Sequence, residues 1–137
     1  IPRAPRTTLV HGDYRVGNFI WRENHIAAFL DWEMVALGDP LSDIGWMCMK
    51  VFQGHTGKVN GLMDRDEFLS SYEKLSGIHP NPESVVWWEV FGYVKLMAIL
   101  SAGLRAYIDG RRDDVRLAIF EFDALSHLNL LAQTLGF

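Results

Sequence analysis

Two hydrophobic rhythms divide the chain. Between Thr8 and about residue 32, apolar residues come in short β-prone runs: Thr8-Leu9-Val10, Asn18-Phe19-Ile20-Trp21 and Ile26-Ala27-Ala28-Phe29-Leu30. The last two flank the polar stretch Arg22-Glu23-Asn24-His25, which predicts a β-hairpin. After Pro40 the period becomes helical: Leu41, Ile44, Met47, Cys48 and Val51 share one face, with Asp39 as N-cap and Pro40 at the first helical position. A glycine-punctuated loop, Gln53 to Gly61, precedes a second helix. Asp64 and Glu67 stand there at capping-box spacing, Phe68, Leu69, Tyr72 and Leu75 form the stripe, and Gly77 closes the helix. A third helix runs from Asn81-Pro82 to about Asp109-Gly110; apolar nearly all round, it is expected in the middle of the packing. A fourth covers roughly 113–135, with Leu117, Phe120, Ala124, Leu128 and Leu131 inward. The predicted class is α+β: a small β-hairpin element carrying polar loops, followed by a mainly helical remainder.

Composition sharpens this picture. The 137 residues suffice for a real core, and 49% of them are apolar, so the chain is globular rather than disordered. Net charge is −4 and no basic stripe follows any element, which argues against nucleic acid as a partner. The most hydrophobic segment, Val85 to Leu100, is interrupted by Glu89 and Lys95, and a core helix is expected there rather than a membrane span. The single cysteine, Cys48, excludes an intrachain disulfide and fits a reducing cytoplasm. Ile1-Pro2-Arg3-Ala4-Pro5-Arg6 has no signal-peptide character and reads as a linker, residues 1–7, leading into a lobe over 8–137.

The candidate chemistry lies in four polar clusters between residues 11 and 43: His11-Gly12-Asp13, Asn18, Asp31-Trp32-Glu33, and Gly38-Asp39-Pro40 with Asp43. Asp13 follows an apolar strand and a Gly-containing turn, so its carboxylate rises from a rigid base. In phosphoryl transfer such a carboxylate orients the acceptor hydroxyl and takes its proton late. Asn18 offers a neutral oxygen and Asp31 a charged one, the kind of sparse oxygen set magnesium takes alongside substrate phosphates. Taken singly, each is equally a turn or strand-end residue; the joint spacing favours chemistry. Asp43, in the first turn of its helix, either profits from the helix dipole or reaches back to accept backbone N–H groups of the Asp13 loop. Arg15 is placed either to touch a transferred phosphate or to form a surface ion pair. His11 is expected to brace the loop, since no second His stands at ligand spacing. Glu33 would add to a metal shell or meet a cationic substrate. Gly54-His55-Thr56-Gly57-Lys58-Val59 is a false phosphate loop: Phe52 stands where its first Gly belongs and Val59 where its Ser or Thr belongs.

As a set, these motifs resemble the aminoglycoside phosphotransferase and choline kinase-like superfamily, distant relatives of protein kinases. His11-Gly12-Asp13-Tyr14-Arg15-Val16-Gly17-Asn18 resembles the family's catalytic loop. Asp31-Trp32-Glu33 resembles its metal-binding segment, and Gly38-Asp39-Pro40-Leu41-Ser42-Asp43 the stretch that follows. The wording from Asp31 to Asp43 is closest to the kinase-type domains fused to acyl-CoA dehydrogenases, which hints at a hydroxyacyl thioester as acceptor. The resemblance implies a protein-kinase-like C-terminal lobe using ATP and Mg2+. Asp13 is then the catalytic base, Asn18 and Asp31 are metal and nucleotide ligands, Ile20 is part of the floor under adenine, and Asp43 is the brace.

The family's Gly-rich strand-turn-strand and lysine-bearing strand have no counterpart among these residues, so a missing N-terminal lobe is the expected partner and the isolated chain is expected to be inactive. The leading expectation is a small-molecule kinase with a hydroxyl acceptor. The alternative is a non-catalytic kinase-like binding or regulatory module, and a purely structural helical domain would leave the polar set unexplained. Trp87, Trp88 and Tyr93 would line an acceptor pocket or serve as core.

Overall fold

The computed structural model describes the backbone of all 137 residues and the side chains of all but Phe120, Glu121 and Phe122. Two compact units divide the chain, Ile1–Glu89 and Val90–Phe137. In the first, residues 1–7 form no strand or helix, and β1 (Thr8–Val10) follows. A 3-10 turn at Val16–Asn18 leads into β2 (Phe19–Arg22) and β3 (His25–Phe29), which pair antiparallel. Glu23 and Asn24 between them both have positive φ, 47° and 64°, as a two-residue hairpin turn requires. The register slips between Ile20 and Trp21: Ile20 faces Ala28 and Trp21 faces Ile26, so Ala27 is the extra residue of a bulge.

A second two-stranded sheet was not expected. It pairs β1 with β4 (Ala36–Gly38), after a 3-10 turn at Trp32–Met34. Three residues with no polar alternation give no strand signal; β4 exists because β1 offers it an edge. Next come α1 (Leu41–Cys48), a 3-10 turn at Lys50–Phe52, α2 (Arg65–Ser76) and α3 (Pro82–Ile108), which begins in the first unit and ends in the second. The second unit contains the rest of α3 and α4 (Arg116–Leu135).

The core of the first unit gathers Phe19, Leu41, Ile44, Met47, Cys48, Val59, Ile78 and Val85, with Tyr14, Phe68, Leu69, Tyr72 and Trp88 packed around them. The expected face of α1 is thus buried, except that Val51 falls beyond the helix end. Gly45 sets how near α3 approaches α1, because a Cβ there would lie 2.5 Å from the Cβ of Trp88.

Several expectations need correction. The start of α1 is shifted by one residue: Pro40 precedes the helix, and Asp39 Oδ1 accepts the Leu41 N–H at 2.9 Å. Asp64 stands at the N-cap of α2 without a side-chain cap bond, so the capping box does not form. Leu75 is 86% exposed, since the last turn of α2 runs past the core, and Leu128 on α4 is also exposed. Phe120 lies outside the described side chains. The fourth helix starts at Arg116 rather than 113, where Asp114 accepts the Arg116 N–H.

The expectation that α3 sits in the middle of the packing is also corrected. By length and composition it could cross a membrane, yet Val86, Phe91, Val94 and Ile99 are exposed. Its Glu89, however, is 3% exposed and paired with Arg65 of α2, an environment that only protein supplies. Burial pushes the Glu89 carboxyl above its usual range, with Arg65 pulling against that shift.

Candidate active site

The segment from His11 to Asn18 would be a floppy run of turns if left alone. Its backbone polar groups need partners, and they find them on α1, at Asn60, at Leu30 and within the loop itself. The Asp43 carboxylate accepts the His11 N–H at 2.7 Å through Oδ2 and the Gly12 N–H at 2.9 Å through Oδ1. Gly12 has φ +84°, and a Cβ there would lie 2.3 Å from the Met34 carbonyl oxygen, so only glycine permits this turn. Burial and the nearby Asp43 charge raise the Tyr14 phenol, which therefore stays protonated.

The buried His11 holds the loop to the end of the hairpin. Its Nε2–H donates to the Leu30 carbonyl at 2.8 Å, while Nδ1 accepts the Asp13 N–H at 3.2 Å. That partner set selects the neutral Nε2–H tautomer. The ring also packs on Trp32, with centroids 4.6 Å apart. His11 thus fixes where Asp31, one residue past Leu30, stands relative to Asp13.

Asp13 is the most heavily bonded side chain of the cluster. Asn18 Nδ2 donates to Oδ2 at 2.7 Å and to the Asp13 carbonyl at 2.8 Å. Arg15 Nε–H spans both carboxylate oxygens at 3.0 and 3.2 Å. The Trp46 indole N–H donates to Oδ1 at 2.9 Å. Of the two alternatives for Arg15, the geometry displays the ion pair, with its side chain 37% exposed.

With both Nδ2 hydrogens committed to Asp13, the Asn18 amide is oriented, and its Oδ1 is left as an acceptor. The Asn18 carbonyl accepts the Leu30 N–H at 2.8 Å, which closes the open end of the hairpin. One residue further on, Asp31 adopts a left-handed conformation (φ 64°) at the start of the Trp32–Met34 turn, and its carboxylate makes no cap bond. Among the described residues, no cluster of three or more His, Cys, Asp or Glu side chains is placed to hold a metal. One amide oxygen and one exposed carboxylate fit a hard cation that keeps waters and phosphate oxygens for its remaining positions.

Ile20 is exposed and stands between Phe19 and Trp21 on the strand, so it points away from the aromatic cluster those two build with Tyr14 and Phe29. Glu33 is exposed. Trp87 and Trp88 pack edge to face, and Trp88 donates to Asp39 Oδ2 at 3.1 Å, a structural use. The false phosphate loop is exposed from Gly54 to Lys58, and Val59 is core.

Sequence reasoning missed two residues. Trp46 stands three past Asp43, so the i, i+3 spacing that puts both on one face of α1 was available to find it. Asn60 joins the far end of the loop to α1: Oδ1 accepts the Val16 N–H at 3.1 Å and Nδ2 donates to the Met47 carbonyl at 2.7 Å. Nothing in its sequence neighbourhood announces that.

Comparison with known proteins places this geometry. Residues 1–80 match the sequence profile of the phosphotransferase enzyme family, APH. The mouse acyl-CoA dehydrogenase family member 10 is 30% identical over 124 residues, covering 81% of this chain and 12% of that protein. Human acyl-CoA dehydrogenase family member 11 is 27% identical over 113 residues, covering 74% of this chain and 14% of that protein. The chain therefore spans only a small part of the curated relatives it matches. Among solved structures, a candidate aminoglycoside phosphotransferase from Ralstonia eutropha superposes with a TM-score of 0.75 at 24% identity, over 93% of this chain and 42% of that one. The fold is that of a kinase-like phosphotransferase, and the chain belongs to the phosphotransferase enzyme family.

Proposed function

We propose that these residues carry the catalytic and metal-binding loops of an ATP- and Mg2+-dependent kinase that phosphorylates a hydroxyl group of a small molecule. The observation that carries this is the Asp13 carboxylate. It is held in its loop by directed donors from Asn18, Arg15 and Trp46, with Asn18 Oδ1 left as an acceptor, and the exposed Asp31 follows the Leu30 carbonyl that His11 holds. Elements that cover the nucleotide are assigned to polypeptide other than residues 1–137.

In this mechanism Asp13 accepts a hydrogen bond from the acceptor hydroxyl and aims its oxygen at the terminal phosphorus. As the new O–P bond forms, the bond from that phosphorus to the bridging oxygen breaks, and its electron pair leaves with ADP. The hydroxyl proton passes to Asp13 late, so the carboxylate acts chiefly by position. Arg15, half exposed, leaves Asp13 to meet the phosphoryl oxygens. Asn18 and Asp31 would hold the Mg2+, which, when bound, neutralises phosphate charge. Asp43 and His11 keep the loop in register. Ile20, on the outward face of the hairpin, contributes the apolar surface on which adenine lies.

The test is Asp13→Asn in the full-length protein. Turnover should fall by about 10²–10⁴-fold, with nucleotide affinity largely retained. Normal kcat refutes the assignment. A second reading, a nucleotide-binding module without transfer activity, draws on the Arg15 guanidinium already occupying the Asp13 carboxylate. Magnesium-dependent ATP binding without phosphorylation of any hydroxyl acceptor would select it.

A further inference from the structure

We propose that Trp46 is a positioning residue for Asp13: its indole N–H fixes the rotation of the carboxylate plane and so the direction from which an oxygen lone pair meets the acceptor hydroxyl. The χ2 torsion of aspartate is broad, so a carboxylate fixed only at its Cα is free to swing its plane. Here the two oxygens are distinguished by neutral donors on buried side chains. Trp46, 4% exposed, takes Oδ1, and Asn18, 5% exposed, takes Oδ2.

The chemistry of the indole suits this task. It donates and cannot accept, so it holds the base without competing for the proton the base is to receive. Its ring packs against Phe52, with centroids 5.6 Å apart, and it rises from α1 one turn after Asp43. One helix face thereby sets both the backbone of the loop, through Asp43, and the direction of its functional group, through Trp46. Arg15, the half-exposed donor bridging both oxygens, is the one that can give way to an incoming hydroxyl.

This inference rests on Asp13 being the base, so its experiment separates the two. In the full-length protein, Trp46→Phe keeps a buried ring and removes the N–H. The expected result is a kcat lower by about 10–100-fold, the scale of a misplaced reacting group, with the nucleotide KM unchanged within about twofold. On an Asp13→Asn background the same change should cost nothing further, because the group it orients is already lost.

A second readout needs no turnover. In 15N spectra of the protein, the Trp46 indole N–H resonance, assigned by connectivity, should move in Asp13→Asn while the Trp21 and Trp87 indoles stay in place. Wild-type kcat in Trp46→Phe beside a dead Asp13→Asn overturns the inference and leaves the kinase assignment standing. Wild-type kcat in both overturns the assignment itself. If Trp46→Phe fails to fold, an unmoved Trp46 resonance in Asp13→Asn overturns the inference.

Discussion

Replacement of Gly45 by alanine sets two effects of opposite sign against each other. In a helix interior, alanine is favoured over glycine by about 1 kcal/mol, so propensity alone predicts a more stable protein. The structure predicts the reverse. A Cβ on Gly45 would lie 2.5 Å from Trp88 Cβ, 2.8 Å from Trp88 C and 2.9 Å from Glu89 N. Two of these are backbone atoms of α3, so no rotamer change relieves the overlap and one helix must move. Forcing a methyl into a packed contact costs typically 1–3 kcal/mol, and a clash of this depth against backbone belongs at the upper end. The net expectation is a loss of about 2 kcal/mol. With a urea slope of about 2 kcal/mol/M, the midpoint falls by about 1 M at unchanged slope. Urea titration followed by tryptophan fluorescence reads this directly. A midpoint equal to or above that of the unsubstituted protein would falsify the close approach of α1 and α3 at Gly45.

Substitutions at two further positions test how the loop and the buried pair are held. Asn60→Ala removes the bonds to Val16 N–H and Met47 O and puts alanine at φ +48°. Stability should drop by about 2–3 kcal/mol, and the Val16 amide should exchange faster with solvent. Asn60→Gly relieves the backbone strain and recovers about 1 kcal/mol of that loss; full recovery would mean that the two bonds contribute nothing. For Glu89, burial raises the carboxyl above its unfolded value, with Arg65 opposing. Protonation is therefore favoured by folding, and the stability tied to Glu89 is fully present below the usual glutamate range and lost as pH rises through its raised folded value. The stability of Glu89→Gln relative to the unsubstituted protein should thus climb as pH rises through that window, measured by urea midpoints from about pH 4 upward. A flat or falling difference would contradict the burial-dominated shift.

The sequence made legible what is written in local pattern. The hairpin showed itself through β-prone runs around Glu23-Asn24, and all four helices through period and punctuation. Spacing alone singled out His11, Asp13, Asn18 and Asp43, which meet in one hydrogen-bonded loop. What stayed hidden is relational. Ala36-Leu37-Gly38 is a strand only because β1 lies alongside it. Leu75 and Leu128 continue their stripes beyond the surface available to cover them, and periodicity cannot say where the core ends. Glu89 looked like an interruption of an apolar helix, and it is the buried partner of an arginine whose position depends on α2. Asn60 looked like one more loop residue, and it joins two segments that are remote in sequence.

The division of labour between residues 11–18 and 39–60 has a consequence for how any variant of this domain is interpreted. The first segment holds Asp13 and Asn18 and ties them to one another through His11, Arg15 and Asn18, but its backbone is a left-handed glycine and a short 3-10 turn rather than a regular element. The second fixes it at three points: Asp43 at the His11-Gly12 turn, Trp46 at the Asp13 carboxylate, and Asn60, tied to the Met47 carbonyl, at Val16. Six of the eight residues of α1 are buried, so the helix that carries or anchors these contacts belongs to the most stable part of its unit. The loop therefore inherits its geometry from α1, and a small displacement of that helix reaches all three points together. Substitutions at Asp43, Gly45, Trp46 and Asn60 should consequently be non-additive in activity even where no two of the side chains touch, because each acts through the one rigid element they share. A change that looks purely structural, such as Gly45→Ala, then belongs in the same kinetic series as changes to the reactive loop.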